Sequence, residues 1–305
     1  MHNAASGLDY SNIDIHFNNF NQIDGQWQSI TSNNDFQDYY VGLGGGSTGV
    51  HVGPEIGIAY EIANSGANES EAWYIIKFTA AGTYLDGAWY PCQWNTINPG
   101  SSRDEQGVKA QTGEYIATHM LNFVKADLDK IVSIHGADNV DIKSFVWMQG
   151  ESEAGHELCT PYYKTTEQQL VLDIRNTFNS YDKVGSIQFV NAAIEEDKNI
   201  DVNGVATSVW PASDIVNKAK TENCATWYVP ETDSETVLGQ NYGNKGVYTN
   251  SNAAIADSVW IDTSTLISKY ENNNENNEND PYHYCGESML KLGQWMGKAI
   301  LGTMK

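Results

Sequence analysis

Long apolar runs, basic residues and cysteine are all scarce in this chain of 305 residues. No run reaches the roughly 18 apolar residues of a membrane-spanning helix, and residues 1–30 lack the basic start and apolar middle of a signal peptide. Seventeen Lys and Arg stand against 39 Asp and Glu, which gives a formal net charge of -22. This charge opposes binding to nucleic acid or to an anionic membrane, so we expect a neutral partner.

Four cysteines are too few for a disulfide scaffold, and no two of them form a C-x-x-C pair: Cys92, Cys159, Cys224 and Cys285. Packing cysteines and a single disulfide both remain open. His156 with Cys159, and His283 with Cys285, resemble halves of a zinc site, but such pairs arise easily by chance. We therefore predict no metal site at these residues.

Short β-branched or aromatic runs alternate with helical patterns from the middle of the chain onward. The predicted strands cover residues 74–78, 144–148, 187–191 and, more weakly, 258–261. The predicted helices cover residues 54–62, 113–134, 163–179 and 287–304, each with apolar residues at helical spacing. Such alternation predicts an α/β fold with a mostly parallel sheet, and one continuous domain over residues 1–305.

The opening segment has a different pattern. Ile13, Ile15 and Phe17 alternate with polar residues, and Asp24-Gly25 precedes Trp27, which predicts a hairpin rather than a central strand. We therefore expect the opening to be peripheral. The run of Asn and Glu at 271–279 predicts a low-complexity surface loop.

Three short patterns suggest chemistry. Asp280 and His283 have the D-x-x-H spacing of a general base oriented by a carboxylate, in a loop before the final helix. Gln149 follows the strand at 144–148 directly, at the carboxyl end where open α/β sheets place their sites, and its amide is a donor suited to an oxyanion. A turn of small residues, 79–85, follows the strand at 74–78, and the backbone N–H groups around Gly82 face the same crevice if the strands are neighbours.

In this order the motifs resemble those of the SGNH hydrolases, in the carbohydrate acetylesterase branch that includes sialate O-acetylesterases and xylan acetylesterases. The resemblance covers nearly the whole chain and rests on four blocks: Gly53-Pro54-Glu55-Ile56-Gly57, Lys77 through Leu85, Trp147 through Ala154, and Asp280 through His283. Only the W-M-Q-G-E-S-E-A block at 147–154 is specific by itself.

The resemblance implies a three-layer α/β/α sandwich with a flavodoxin-like sheet, and it implies serine-esterase chemistry, which requires no metal or organic cofactor. His283 would be the general base, Asp280 its orienting acid, and Gln149 with the backbone of Gly82 the oxyanion hole. Ala81-Gly82 stands where the family usually has two glycines, and it retains both backbone N–H groups.

The family's serine comes from a G-Q-S-N-M block, and no such block occurs in this sequence. Residues 9–27 look like the hairpin that normally follows it, so Met1 falls where its methionine would be. Our hypothesis is that the first central strand and the nucleophile lie upstream of Met1.

A rival serine is Ser47, in Gly45-Gly46-Ser47-Thr48-Gly49, which matches the G-x-S-x-G nucleophile elbow. Its context is poor, since the elbow needs a buried strand before it and a helix directly after it. Ser152 is more typical of a helix cap.

The expected substrate is an acetylated carbohydrate, either an acetylxylan-like polysaccharide or O-acetyl sialic acid, with Trp89 as a lining residue. The charge of -22 favours a neutral polymer. Secretion or another extracytoplasmic location of the full-length form would fit this role. Two other interpretations stay open: a carbohydrate-binding protein that has lost catalysis, and a fragment with impaired folding.

Overall fold

A computed structural model describes residues 8–23, 26–32, 35–38, 53–80, 82–85, 94, 116–155, 162–183, 185–195, 199–202, 205–231, 244–267 and 283–305. Its strands are β1 (Ile13–Ile23), β2 (Gln26–Ser32), β3 (Gln37–Asp38), β4 (Trp73–Ala80), β5 (Ser144–Trp147), β6 (Gln188–Ala192), β7 (Asn199–Val202), β8 (Val205–Ser208), β9 (Cys224–Val229), β10 (Gly246–Thr249) and β11 (Ile255–Ile261).

The helices are α1 (Glu55–Ser65), α2 (Ile116–His135), α3 (Glu151–Ala154), α4 (Tyr163–Phe178), α5 (Ser213–Asn223) and α6 (Gly286–Ile300). Short 3-10 turns cover Ala67–Glu69, Ala137–Asn139 and Asn179–Tyr181. Pro54 is the N-cap of α1, and Gly66 closes it in the left-handed conformation with its N–H bonded to Ala63 and Ile62. None of the helices described here is long and apolar enough to cross a membrane.

Strands of the second half form a five-stranded sheet in the order β10-β9-β11-β6-β5. The four strands β9, β11, β6 and β5 run parallel, and only β10 at the edge is antiparallel. A four-stranded sheet holds β1, β2, β3 and β4, with β4 parallel to β1. Strands β7 and β8 form a separate hairpin.

Two apolar clusters cover the sheets from opposite sides. One cluster includes buried residues of α2 and α4, such as Leu128 and Leu170, and the other includes buried residues of α1 and α6, such as Ile62 and Met296. Helices therefore flank a mostly parallel sheet on both faces, which confirms the predicted α/β fold class. Such a sheet buries both faces, and this explains its β-branched, almost uninterrupted apolar strands.

The hairpin at the start of the chain is confirmed, because β1 pairs with β2 and Ile23 lies opposite Gln26. Its peripheral position is wrong. β1 also pairs with β4 along eight residues, and Ile13 and Ile15 are almost completely buried. The polar residues of β1 misled the prediction, because one of them, His16, is itself buried against a distant carboxylate.

Several elements were not predicted: β7, β8, β9, β10 and α5. The predicted loop at 271–279 and the turn at Asp24-Gly25 lie outside the described residues.

Candidate active site

Three loops meet where the parallel strands end. Gln149 follows β5, Glu195 follows β6, and Asp262 follows β11, and these three strands are adjacent and parallel. All three side chains are buried. In open α/β sheets this carboxyl edge is where ligands bind.

The Gly82 turn and Gln149, predicted independently, are brought together. The amide nitrogen of Gln149 donates to the carbonyl oxygen of Thr83 at 2.9 Å. Thr83 is itself buried, and its hydroxyl accepts a hydrogen bond from the indole of Trp94 at 2.8 Å. The loop after β4 is thus tied to the loop after β5.

Glu153 makes a second link between the same two loops. One carboxylate oxygen accepts the other amide hydrogen of Gln149 at 2.7 Å, and the second accepts the backbone N–H of Leu85. Glu153 is fully buried and lies in α3, one helical turn after Gln149. The sequence patterns assigned no role to Glu153, although it lies inside the specific 147–154 block.

Because both amide hydrogens of Gln149 already have acceptors, an oxyanion at this position would have to replace one of them. The carbonyl oxygen of the Gln149 side chain is buried and has no hydrogen-bond partner within the described part of the chain.

Gly150 holds the Gln149 loop in a conformation that only glycine adopts easily. Its φ is +135°, and a Cβ would meet Val216 Cγ1 at 2.6 Å. The hydroxyl of Tyr163, on α4, donates to the backbone carbonyl of Gln149 at 2.9 Å. Burial, followed by the charge of Glu167, raises the pKa of Tyr163 well above its usual value, so this hydroxyl stays a donor.

Gly82 is exposed and left-handed, with a φ of +65°. Among the described residues, no atom would lie within 4 Å of a Cβ there, so none of them crowds its backbone. The turn thus presents backbone to solvent at the carboxyl edge.

His283 is exposed and precedes Tyr284, whose hydroxyl donates to the hydroxyl of Thr263 at 3.2 Å. Thr263 follows β11 and donates to the carbonyl of Ala193, after β6. His283 is therefore within one residue of a side chain anchored at the carboxyl edge. Burial raises the pKa of Tyr284 well above its usual value, and the carboxylates of Glu195, Glu151 and Asp262 raise it further.

Other predicted site residues, Asp280, Trp89 and Ser47, lie outside the described residues, as do Cys92 and Cys159. Cys224 and Cys285 are buried free thiols. Across the described ranges, no three His, Cys, Asp or Glu side chains are grouped so that they could hold a metal ion.

A second histidine–carboxylate pair lies away from this edge. His16 Nδ1 is 2.7 Å from Asp127 Oδ2, and both side chains are buried. Phe36 and Phe123 pack against the imidazole. His16 lies in the middle of β1 and Asp127 in the middle of α2, so we assign this pair to the packing of helix on sheet.

Beside the site lies a cavity of about 980 Å³, lined by β4 and β5 along their length. This volume lies within the range of roughly 300–1,000 Å³ that ligand pockets span. Gln149 lines its end at the carboxyl edge.

No protein-family model and no curated protein sequence matches the chain. A crystal structure of a protein from Arabidopsis thaliana resembles it with a TM-score of 0.52 at 16% identity, covering 97% of this chain and 83% of that one. A carbohydrate acetylesterase from Xanthomonas citri is a more distant structural neighbour, with a TM-score of 0.46 at 11% identity. The match covers 99% of this chain and 51% of the Xanthomonas protein, so this chain spans about half the length of that protein. At these identities the likeness extends to the fold alone: the chain has the α/β fold of the Arabidopsis protein.

Proposed function

We propose that the protein is a serine esterase that removes acetyl groups from O-acetylated carbohydrate, either an acetylxylan-like polysaccharide or an O-acetyl sialic acid. One observation carries the proposal: the bond from Gln149 to Thr83 places an amide side chain and the Gly82 turn together at the carboxyl edge. An oxyanion hole requires such a convergence of donors from separate loops.

The nucleophile in this proposal is a serine outside the 305 residues. Its hydroxyl attacks the acetyl carbonyl carbon while His283, oriented by Asp280, accepts its proton. The oxyanion receives hydrogen bonds from the Gly82 backbone and from Gln149, which exchanges one of its two acceptors. The protonated His283 then gives its proton to the sugar oxygen as the C–O bond breaks, so the sugar leaves as its hydroxyl form. Water, deprotonated by the same histidine, hydrolyses the acetyl-enzyme to acetate and the free serine.

Substrate selection in this proposal follows from charge and aromatic surface. The net charge of -22 favours neutral acetylxylan over a sialic acid, which carries a carboxylate. Trp89, close after the Gly82 turn in sequence, would contribute a stacking surface for a sugar ring.

The test measures hydrolysis of 4-nitrophenyl acetate by the 305-residue chain and by the chain extended with the residues encoded in frame upstream of Met1. Each is prepared unmodified, as His283→Ala and as Ser47→Ala. We expect turnover only in the extended form, lost in His283→Ala and kept in Ser47→Ala.

Turnover by the 305-residue chain that Ser47→Ala abolishes would assign the nucleophile to Ser47 instead. An extended form that is folded, binds acetylated xylo-oligosaccharides and hydrolyses no acetyl ester would support a non-catalytic carbohydrate-binding protein.

A further inference from the structure

The side-chain amide of Gln149 is confined to one of its two orientations. Its nitrogen lies 2.9 Å from the carbonyl oxygen of Thr83 and 2.7 Å from a carboxylate oxygen of Glu153. Turning the amide over would place its oxygen against these two acceptors, and neither a carbonyl nor an ionised carboxylate has a hydrogen to donate. The two acceptors therefore determine which end of the amide faces the loops at the carboxyl edge.

Glu153 is suited to hold this orientation because its own position is fixed. It is completely buried in α3, and its second carboxylate oxygen accepts the backbone N–H of Leu85. Each of its two oxygens thus receives an N–H donor, which is the pattern of an ionised carboxylate. Glu153 holds Gln149 with one oxygen and the turn at residues 82–85 with the other.

The two acceptors of the Gln149 amide differ in strength. A hydrogen bond to a carboxylate is charge-assisted and is roughly twice as strong as one between neutral groups. The carbonyl of Thr83 is neutral and belongs to the Gly82 turn, whose glycine is exposed and left-handed. An incoming oxyanion therefore competes more easily for the hydrogen that Thr83 accepts than for the hydrogen that Glu153 accepts.

We propose that Glu153 is a positioning residue of the esterase reaction, and that the oxyanion replaces the carbonyl oxygen of Thr83 as an acceptor of the Gln149 amide. The inference rests on the proposed function, since it names the acceptor that Gln149 gives up during the reaction. Glu153 keeps the nitrogen of Gln149, and not its oxygen, turned toward the developing charge. An amide turned the other way would repel the oxyanion instead of stabilising it.

Glu153→Gln keeps the size of the side chain and removes one of its two acceptors. The new oxygen accepts from Gln149 or from Leu85, and the new nitrogen then meets the other N–H donor. In the first arrangement Leu85 loses its acceptor, and in the second the Gln149 amide must turn over. The charge-assisted bond is lost in both, so Gln149 is no longer held firmly in the orientation that serves the oxyanion.

The first experiment is a double-mutant cycle in kcat for 4-nitrophenyl acetate, with the chain extended upstream of Met1. We expect Glu153→Gln to lower kcat by between about tenfold and about 10³-fold, up to the full loss of one oxyanion donor, with little change in KM. Gln149→Ala combined with Glu153→Gln should have the kcat of Gln149→Ala alone to within about threefold, because Glu153 acts through Gln149. If Glu153 had only a structural role, the two losses would multiply.

Glu167→Gln is the matched control. Glu167 is also completely buried, and its two oxygens accept side-chain amide hydrogens from Asn191 at 2.9 Å and from Asn223 at 2.8 Å. The substitution removes a buried carboxylate that accepts two N–H donors, so it should lower the stability of the protein as Glu153→Gln does. It should leave kcat almost unchanged.

A second measurement does not depend on hydrolysis. In the 305-residue protein, NMR follows the exchange of the side-chain amide hydrogens of Gln149 with solvent. Both should exchange at least about tenfold more slowly than those of Gln169, which is exposed on α4, because both are buried and hydrogen-bonded. Glu153→Gln should speed the exchange of at least one of them by a similar factor.

The part of Thr83 is tested with diethyl 4-nitrophenyl phosphate in the extended form. The serine oxygen bonds to phosphorus, 4-nitrophenolate leaves, and the hydroxyl proton passes to His283. The adduct places a phosphoryl oxygen where the oxyanion forms. The NMR signal of the Gln149 hydrogen that faces Thr83 should shift, and that of the hydrogen that faces Glu153 should stay.

Four results would overturn the proposal: an unchanged kcat in Glu153→Gln, losses that multiply in the double variant, unchanged amide exchange at Gln149 in Glu153→Gln, or an adduct that shifts the hydrogen facing Glu153 instead. In each case hydrolysis by the unmodified extended form would leave the esterase proposal standing. If the extended form hydrolyses no acetyl ester while Glu153→Gln still frees the Gln149 amide, the hold of Glu153 on Gln149 stands and the esterase proposal fails.

Discussion

The side-chain amide of Gln149 donates to the carbonyl oxygen of Thr83 at 2.9 Å and joins the loops that follow two strands on either side of a cavity. Gln149 has little freedom, because Glu153 takes its other amide hydrogen. The same residue thus fixes the geometry of the carboxyl edge and carries the donor that the proposed reaction requires.

We expect Gln149→Ala to lower kcat of the catalytically active form by about 10²–10³-fold while the protein stays folded, since one oxyanion donor is worth that much. KM should change less than kcat, because the donor acts on charge that develops in the transition state. Steady-state kinetics with 4-nitrophenyl acetate measure both constants.

Gln169→Ala is the matched control for this substitution. Gln169 is on an exposed part of α4 and bonds only Asp173 among the contacts described, at 2.8 Å. It should leave kcat unchanged. Normal turnover in Gln149→Ala would show that the oxyanion is stabilised elsewhere.

Gly150→Ala should destabilise the fold by about 2–6 kcal/mol, the sum of about 1–3 kcal/mol of backbone strain at positive φ and about 1–3 kcal/mol of overpacking against the side chain of Val216. Gly185→Ala separates these two contributions. Gly185 has a similar φ of +119°, but a Cβ there meets no atom within 4 Å, so only the backbone strain of about 1–3 kcal/mol applies. Urea denaturation measures both. An equal loss in the two variants would mean that the Gln149 loop yields to make room for the methyl group.

Much of the fold follows from local sequence. β5 and β6 were predicted within one residue, because β-branched and aromatic runs end there in polar loops. α4 was predicted to one residue because Leu170, Ile174 and Phe178 repeat at helical spacing. The boundaries of these elements therefore follow from the local sequence.

β9 was missed for a local reason, since α5 ends at Asn223 and the strand begins at Cys224 with no turn residues between them. The position of β1 was missed for a long-range reason. His16 looks like an outward-facing polar residue, yet it is buried against Asp127, which is 111 residues away in the sequence. Pairings at that distance have no local signature.

In the candidate site, too, the local features could be predicted from the sequence and the long-range contacts could not. Sequence order placed Gln149 and the Gly82 turn at the ends of two strands, but the direct bond to Thr83 joins residues 66 positions apart. Glu153 lies four residues after Gln149, but this spacing predicts a contact only inside a helix, and the helix α3 begins after Gln149, at Glu151. The contact of Tyr163 with Gln149 has no such local signal. The roles of Asp280 and Ser47 remain predictions, because both residues lie outside the described residues.

Tyr163→Phe should make the protein less sensitive to alkali. Burial raises the pKa of Tyr163 above 10, so above about pH 10 the unfolded chain releases a proton that the folded protein keeps. The unfolded state then binds fewer protons, and the free energy of unfolding falls as pH rises. Phenylalanine removes the contribution of Tyr163 to this dependence, at a neutral-pH cost of about 1 kcal/mol for the lost bond to Gln149. Tyr284, whose pKa is also raised by burial, keeps its own contribution.

Urea denaturation at pH 7 and at pH 10.5 measures the two effects. Tyr248→Phe is the control, because this tyrosine lies at the exposed edge strand β10. It should keep the alkaline loss of stability. If the free energy of unfolding fell by the same amount between the two pH values in Tyr163→Phe and in the unmodified protein, ionisation of Tyr163 would not contribute to the loss of stability in alkali.

Asp127→Ala tests whether the buried histidine pair packs a helix on a sheet or takes part in catalysis. The substitution leaves the ring of His16 without its acceptor in the core, at a cost of about 1–3 kcal/mol in the free energy of unfolding. Asp129→Ala, further along the same helix, removes an exposed carboxylate paired with Lys125 and should leave the free energy of unfolding almost unchanged. In the catalytically active form, the kcat of Asp127→Ala should match that of the unmodified protein at a temperature where both are folded. A large fall in kcat without loss of stability would show that His16, and not His283, is the catalytic base.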